Sequence, residues 1–281
     1  MSRRKNSART GSPDVAPPPG VAPQNDIGFT FVTPTTFVEL PSAGQFYGEG
    51  HPLHECEVIE IKHMTAKEED ILTSEALLKN GLALNRLLQS VIVDKNIDPD
   101  SLLIGDKNAV LIAVRQTGFG DIYTTTVTCP ACGATNEKDF SLEEKEVKLS
   151  EVPDDVTVLD NGNFVVRDEK YDVNIEVRLL TGRDETKITK TIENKKKFKK
   201  DAGTVTTLLQ SIVVAVNDMR QAAVIEQVTT AMPVELSRRI RTIYDSVMPN
   251  VGIHADFECD SCNHADRLEV PISLNFFWPE L

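Results

Sequence analysis

Long apolar runs are missing from this 281-residue chain. The longest are short pieces such as 110–114, far below the roughly 18–20 residues that cross a bilayer, so no membrane span is expected. Positive charge is scarce: 30 Lys and Arg stand against 43 Asp and Glu, a net charge of −13 with a pI near 4.9. Phosphate backbones need a basic surface, so this balance disfavours nucleic acid as a general partner. Arg3, Arg4, Lys5 and Arg9 sit at the N-terminus, but no apolar stretch follows them, and no secretory signal is expected. Catalytic templates are lacking too: there is no G-x-S-x-G, HExxH, P-loop or G-x-G-x-x-G. His51 and His54 flank Pro52-Leu53 without the i, i+4 spacing of a metalloprotease helix. The chain reads as a non-enzyme with no small-molecule substrate.

Cysteine is present in only five copies, and four of them form two Cys-x-x-Cys pairs: Cys129-Pro130-Ala131-Cys132 and Cys259-Asp260-Ser261-Cys262. Each pair lies between strand-like stretches, 124–128 and 138–142 around the first, 254–257 and 267–272 around the second. That is the outline of a hairpin knuckle offering two thiolates to a tetrahedral metal. The pairs are too far apart for one ribbon module. A shared ion would therefore clip distant parts of the chain together, with Cys129, Cys132, Cys259 and Cys262 as its ligands and one ion per chain. Structural zinc contributes folding free energy, so chelation is expected to unfold the protein. Zinc and iron both suit four thiolates. A closed shell leaves no open position for a substrate. The deaminase signature needs a Pro before its first Cys and an upstream H-x-E, whereas Pro130 follows Cys129. Redox use of the pairs lacks its βαβ context. Cys56 reads as a small buried apolar residue.

Along the chain, residues 1–27 hold five prolines among Gly, Ser and Ala and predict a disordered arm, either free or lying along a neighbouring subunit. An extended stretch from 29 to 47 ends in turn residues. Residues 57–64 alternate as a strand, and Thr65-Ala66-Lys67-Glu68 is a capping box opening a helix that carries Ile71, Leu72, Leu77 and Leu78 and ends at Gly81. A second helix covers about 84–93. Asp106 reads as the N-cap of a third helix, which leads to the first knuckle.

After an acidic connection at 143–155 the order recurs. Residues 175–184 align without a gap on 59–68, with Thr181 and Asp184 at the cap positions of Thr65 and Glu68. Leu208-Leu209-Gln210-Ser211 repeats Leu87-Leu88-Gln89-Ser90, and Pro233 opens a helix before the second knuckle. Three matches in one order predict an internally duplicated, two-lobed α+β protein. Its first repeat spans 28–150 and its second 151–281, each built as strand, helices and knuckle hairpin, and the shared four-cysteine metal site clamps the two. The run Lys195-Lys196-Lys197-Phe198-Lys199-Lys200 reads as a solvated face or as a local basic patch. The end, Asn275-Phe276-Phe277-Trp278, reads either as folding back onto the core or as an anchor for a partner.

Residues 64–74, the Leu87–Ser90 helix, Gly105-Asp106-Lys107-Asn108-Ala109, the Thr128–Gly133 knuckle and Leu40-Pro41-Ser42-Ala43-Gly44-Gln45-Phe46-Tyr47 resemble the T4-like bacteriophage baseplate protein family. The resemblance implies a baseplate hub or hub-assembly subunit of a contractile phage tail. Such a subunit would be assembled in the host cytoplasm and carried in the virion, in contact with other baseplate and tail proteins. A transient tail-assembly chaperone, or a zinc-ribbon adaptor that binds nucleic acid through the lysine run, is the alternative.

Overall fold

The computed structural model describes residues 31–197, 203–270, 272 and 274–277. The arm expected at 1–27, Phe198–Lys200 of the lysine run, and Trp278 lie outside these. The chain divides into two units, Met1–Pro34 and Thr35–Leu281, and every element below belongs to the second. Helices and strands mix as expected for α+β, and the strands of the described residues form four small antiparallel sheets.

Strands β1 (Thr35–Glu39) and β2 (Val58–Lys62) pair first. Helices α1 (Ala66–Thr73), α2 (Glu75–Lys79), α3 (Ala83–Val91) and α4 (Ile104–Phe119) follow. Next comes the hairpin of β3 (Ile122–Thr128) and β4 (Thr135–Ser141), then β5 (Lys145–Lys148). Strands β6 (Val156–Val158), β7 (Phe164–Asp168) and β8 (Val173–Val177) lead into α5 (Gly182–Lys197) and α6 (Thr204–Ile212). Strand β9 (Val213–Val216) closes the sheet β6-β7-β8-β9. Helices α7 (Ala222–Ala231) and α8 (Val234–Val247) precede the hairpin of β10 (Asn250–Glu258) and β11 (Ala265–Val270), and β5 adds to the far edge of β10.

Helix α4 is the axis. Its residues from Ala109 to Arg115 are all buried, which marks a helix surrounded by protein rather than one lying on a surface. It packs against β1, α3, α5 and β10. Gly105 permits the closest of these approaches: a Cβ there would stand 2.2 Å from the carbonyl oxygen of Pro249, so only glycine lets the chain entering β10 reach the helix. The helix starts at Ile104, two residues before Asp106, so Asp106 is not its N-cap. The reason is a long-range acceptor role. The Asp106 carboxylate takes the Ser42 N–H at 3.0 Å, the Ser42 hydroxyl at 2.6 Å and the Tyr47 hydroxyl at 2.7 Å, while Tyr47 accepts the Leu103 N–H at 3.0 Å. Burial still holds this carboxyl above its usual range.

Other local expectations shift as well. The helix expected from the Thr65 box to Gly81 is two, because Ser74 turns extended (φ −69°, ψ 107°) and breaks it. Cys56 is half-buried, its thiol 3.4 Å from the Pro52 carbonyl. Phe276 and Phe277 are fully buried. The Arg115 Nε donates to the Phe276 carbonyl at 2.8 Å, and the Phe276 ring meets Tyr123 edge-on. For these two phenylalanines, folding back is the outcome.

Two buried carboxylates hold helix starts. Glu68 accepts the Thr65 N–H and hydroxyl at 2.9 and 2.6 Å, Ser90 at 2.5 Å and the Lys62 ammonium at 2.7 Å. Asp184 accepts the Thr181 N–H and hydroxyl at 3.1 and 2.9 Å and a two-pronged contact from Arg178 at 2.7 and 2.9 Å. Burial opposes ionisation at both, but these donors outweigh it and bring each carboxyl down to about 2. Because the folded value lies below the unfolded one, the stabilisation is complete above about pH 5 and is lost as pH falls through 4 toward 2, roughly 2–3 kcal/mol for each group. Substituting Glu68→Gln or Asp184→Asn should lower stability to urea at neutral pH by about 2–3 kcal/mol and flatten the acid limb of the melting temperature. An acid limb identical to that of the unsubstituted protein would contradict this.

Candidate metal centre

The two knuckles are the same turn built twice. Strand β3 ends at Thr128 opposite Thr135, and β10 ends at Glu258 opposite Ala265. In the first turn Cys129 donates its N–H to the Ala134 carbonyl at 2.8 Å and accepts the Gly133 N–H at 2.9 Å. In the second, Cys259 donates to the His264 carbonyl and accepts from Asn263, both at 2.9 Å. Gly133 and Asn263 carry the left-handed backbone, φ +72° and +55°, that closes each turn. Glycine adopts it freely and asparagine is the side chain that tolerates it best. The first cysteine of each pair is buried and the second exposed.

The hairpins present these four thiols to one another. Cys129 Sγ lies 3.8 Å from Cys262 Sγ, Cys132 Sγ lies 3.7 Å from Cys259 Sγ, and all four sulfurs fall within 4.8 Å. A tetrahedral ion with metal–sulfur bonds of about 2.3 Å needs sulfur–sulfur edges of about 3.8 Å. A disulfide needs about 2.05 Å, and all five cysteines are free. The spacing fits a shared ion. His254 and His264 stay outside the cluster, facing Glu146 at 3.2 Å and Asp266 at 3.9 Å.

Electrostatics favour a cation at the centre. Burial raises the Cys259 thiol, but the N–H groups of Ser261 and Cys262 and the nearby sulfurs outweigh it and lower it to about 6. At Cys262 the His264 N–H pulls down, yet the sulfurs of Cys132, Cys259 and Cys129 and burial push it up to about 12. One thiolate forms readily and its neighbours resist a second. A divalent ion removes that conflict by lowering all four together.

Placement comes from the elements behind the turns. Helix α4 runs into β3 through Gly120, and β10 beds on the same helix. Strand β5 pairs with β10 from Asn250↔Lys148 to Ile253↔Lys145, and Glu146 meets both Arg267 and His254. Beneath the sulfurs Cys129, Phe257 and Cys259 form a small apolar cluster with Val127, Ala134 and Leu268 packed against it. Asn136, buried at 5% exposure, and Lys138 reach from the first hairpin to the second knuckle. Neither was singled out from sequence, where an Asn-Glu-Lys-Asp strand offers only exposed polarity.

A family model described as T4 bacteriophage base plate protein matches residues 33–278. The chain belongs to this family. No curated protein and no solved structure matches it. The baseplate family places the protein among structural components of the phage tail, associated with other tail proteins in the virion.

In this baseplate protein the residues that carry the resemblance hold the fold. The Leu40–Tyr47 segment supplies Ser42 and Tyr47 to Asp106, and Ser90 of the Leu87–Ser90 stretch supplies its hydroxyl to Glu68. A Ser–His contact does occur, Ser101 Oγ to His51 Nε2 at 2.9 Å, but its polarity is wrong for a nucleophile. His51 Nδ1 accepts the Leu53 N–H at 3.1 Å, so Nε2 carries the proton and donates, while the Ser101 hydroxyl is spent on the Asp98 carbonyl at 2.6 Å.

Burial also orders thiol reactivity. In reduced, metal-free protein, alkylation followed by mass spectrometry should label exposed Cys132 well before buried Cys129. Equal labelling of these two would mean that the first turn does not hold this arrangement in solution.

Proposed function

We propose that the protein is a non-enzymatic hub subunit of a contractile phage tail baseplate, in which one structural zinc ion held by Cys129, Cys132, Cys259 and Cys262 locks two hairpins into a shape that neighbouring tail proteins recognise. The observation that carries this reading is the four-sulfur cluster, two thiols from each of two widely separated hairpins, in a chain of the baseplate family. Zinc suits the site because it is tetrahedral, takes four thiolates and has no redox chemistry of its own to damage a structural joint.

The hairpins would belong to two copies of one motif, spanning 28–150 and 151–281, after an arm at 1–27. Support comes from paired details at matching positions. Lys62 binds Glu68 and Arg178 binds Asp184, each beside a Thr at the helix start. Ile61 bridges Ile92, and Val177 pairs with Val213. Helices α4 and α8 each lead into a hairpin with the same turn.

Protein contacts are supported by the surface. Phe37, Val147 and Leu149 are 66%, 51% and 65% exposed and line one groove, floored by Ala109 and Ala113 of α4. Residues 36–41 line it consecutively, so it follows the backbone of β1, whose other side pairs with β2. Among the described residues this edge of β1 has no strand partner, and an apolar groove along a free strand edge suits a partner's extended segment.

The main core, built on α3, α4, α8 and the strands around them, is a separate cluster from the sulfur corner. That narrows the expectation of unfolding on chelation. Metal analysis should give one zinc per chain, and Cys129→Ala or Cys259→Ala should each abolish binding. Chelation should raise amide hydrogen exchange in β3, β4, β10 and β11 while α3 and α4 remain protected. Two ions per chain, or none, would refute the shared site. Detection of the protein in purified virions by mass spectrometry should place it in the tail; its presence in assembly intermediates alone would instead mark a chaperone.

A further inference from the structure

We infer that Asn136 is a positioning residue for the metal half-site on the second knuckle, so that the first hairpin shapes Cys259 before any ion arrives. This rests on the zinc reading above. Asn136 is the second residue of β4, seven positions after Cys129, and its side chain crosses to the other hairpin. The amide oxygen accepts the Asp260 N–H at 2.9 Å. The amide nitrogen donates to the Ala134 carbonyl at 3.2 Å and stands 3.7 Å from Cys259 Sγ. These partners fix the amide's orientation, since reversing it would set a carbonyl against a carbonyl and an N–H against an N–H.

One side chain thus ties three things together: its own turn through Ala134, the backbone of the opposite turn through Asp260, and a ligand sulfur. With the Ser261 N–H at 3.4 Å, it gives Cys259 two N–H groups directed at one sulfur. Donors of this kind orient a thiolate and draw off part of its charge, which matters where four thiolates surround a dipositive ion. Lys138 adds an ion pair to Asp260 at 2.6 Å across the same gap. Among the described residues the second hairpin shows no mirror of this. Seven positions after Cys259 stands Asp266, exposed, whose carboxylate accepts the Arg267 N–H and faces His264 at 3.9 Å. The cross-tie runs one way, from the first hairpin to the second knuckle.

The test uses the full chain with Zn2+ and Co2+. Asn136→Asp keeps an oxygen for the Asp260 N–H but turns an acceptor toward Cys259 and Ala134. Asn136→Ala removes both ends without adding charge. Competition titration should show Zn2+ affinity lowered by about 10–100-fold in both variants. The thiolate-to-cobalt charge-transfer band should shift from its position in the unsubstituted protein. Lys138→Ala, which removes only the partly exposed ion pair, should change affinity by less than about fivefold. Melting of the metal-free proteins separates a binding effect from unfolding, because Asn136→Ala should lose affinity even where its metal-free melting matches the unsubstituted chain. Unaltered Zn2+ affinity with an unshifted cobalt spectrum in both Asn136 variants would overturn the inference. A full-length unsubstituted chain that gives no cobalt–thiolate band would overturn the zinc reading itself, a separate failure.

Discussion

Helix α4 imposes the geometry on which everything near the sulfur cluster depends. Its C-terminal end passes directly into the first hairpin, and its N-terminal half supports the strand that carries the second. Both sets of thiols are therefore referenced to one rigid rod. Closing a chain loop of this length from the unfolded state costs about 5 kcal/mol in conformational entropy. The main core meets that cost when it buries α4, so the proposed ion would find hairpins already brought together. Zinc binding to a small domain must supply folding free energy; on this proposal it would act on a corner that the core has nearly built. Its role would be to lock that corner.

The start of α4 shows how tightly the axis is held. Asp106, Ser42 and Tyr47 are all buried, and each finds a partner in the others. Removing one member would leave a buried polar group without its partner, a cost of about 1–3 kcal/mol. The Leu40–Tyr47 turn is thus a clamp, and it explains in physical terms why residues far apart in sequence share the family resemblance. A virion component has to keep its shape without turnover or repair. Buried carboxylates at helix starts, an enclosed central helix and a corner where two hairpins bring four cysteines together all serve that end.

Much of the site was legible in the sequence because Cys-x-x-Cys spacing is a local signal, and local turns follow from it. The Thr65 box, the knuckle hairpins and the Pro233 helix start were readable for the same reason. What could not be read was pairing at a distance. Strand β5 is Lys-Glu-Val-Lys with every residue exposed, the composition of a charged linker. It becomes a strand because the edge of β10 is there to receive it, and its charges then suit an edge position. Asp106 has the identity of an N-cap, and only the folded loop at Ser42 and Tyr47 redirects it. Helix α7 lacks a capping residue, beginning after Gln221 without a side-chain cap bond. Asn136 was invisible because the partners that set its role, Asp260 and Cys259, lie more than a hundred residues away.

On the proposed function, four thiolates from two hairpins surround one ion. X-ray absorption at the zinc edge on purified protein measures this directly. The expected result is a single shell of four sulfur scatterers at about 2.3 Å. A shell containing nitrogen or oxygen, or one with only two or three sulfurs, would contradict it.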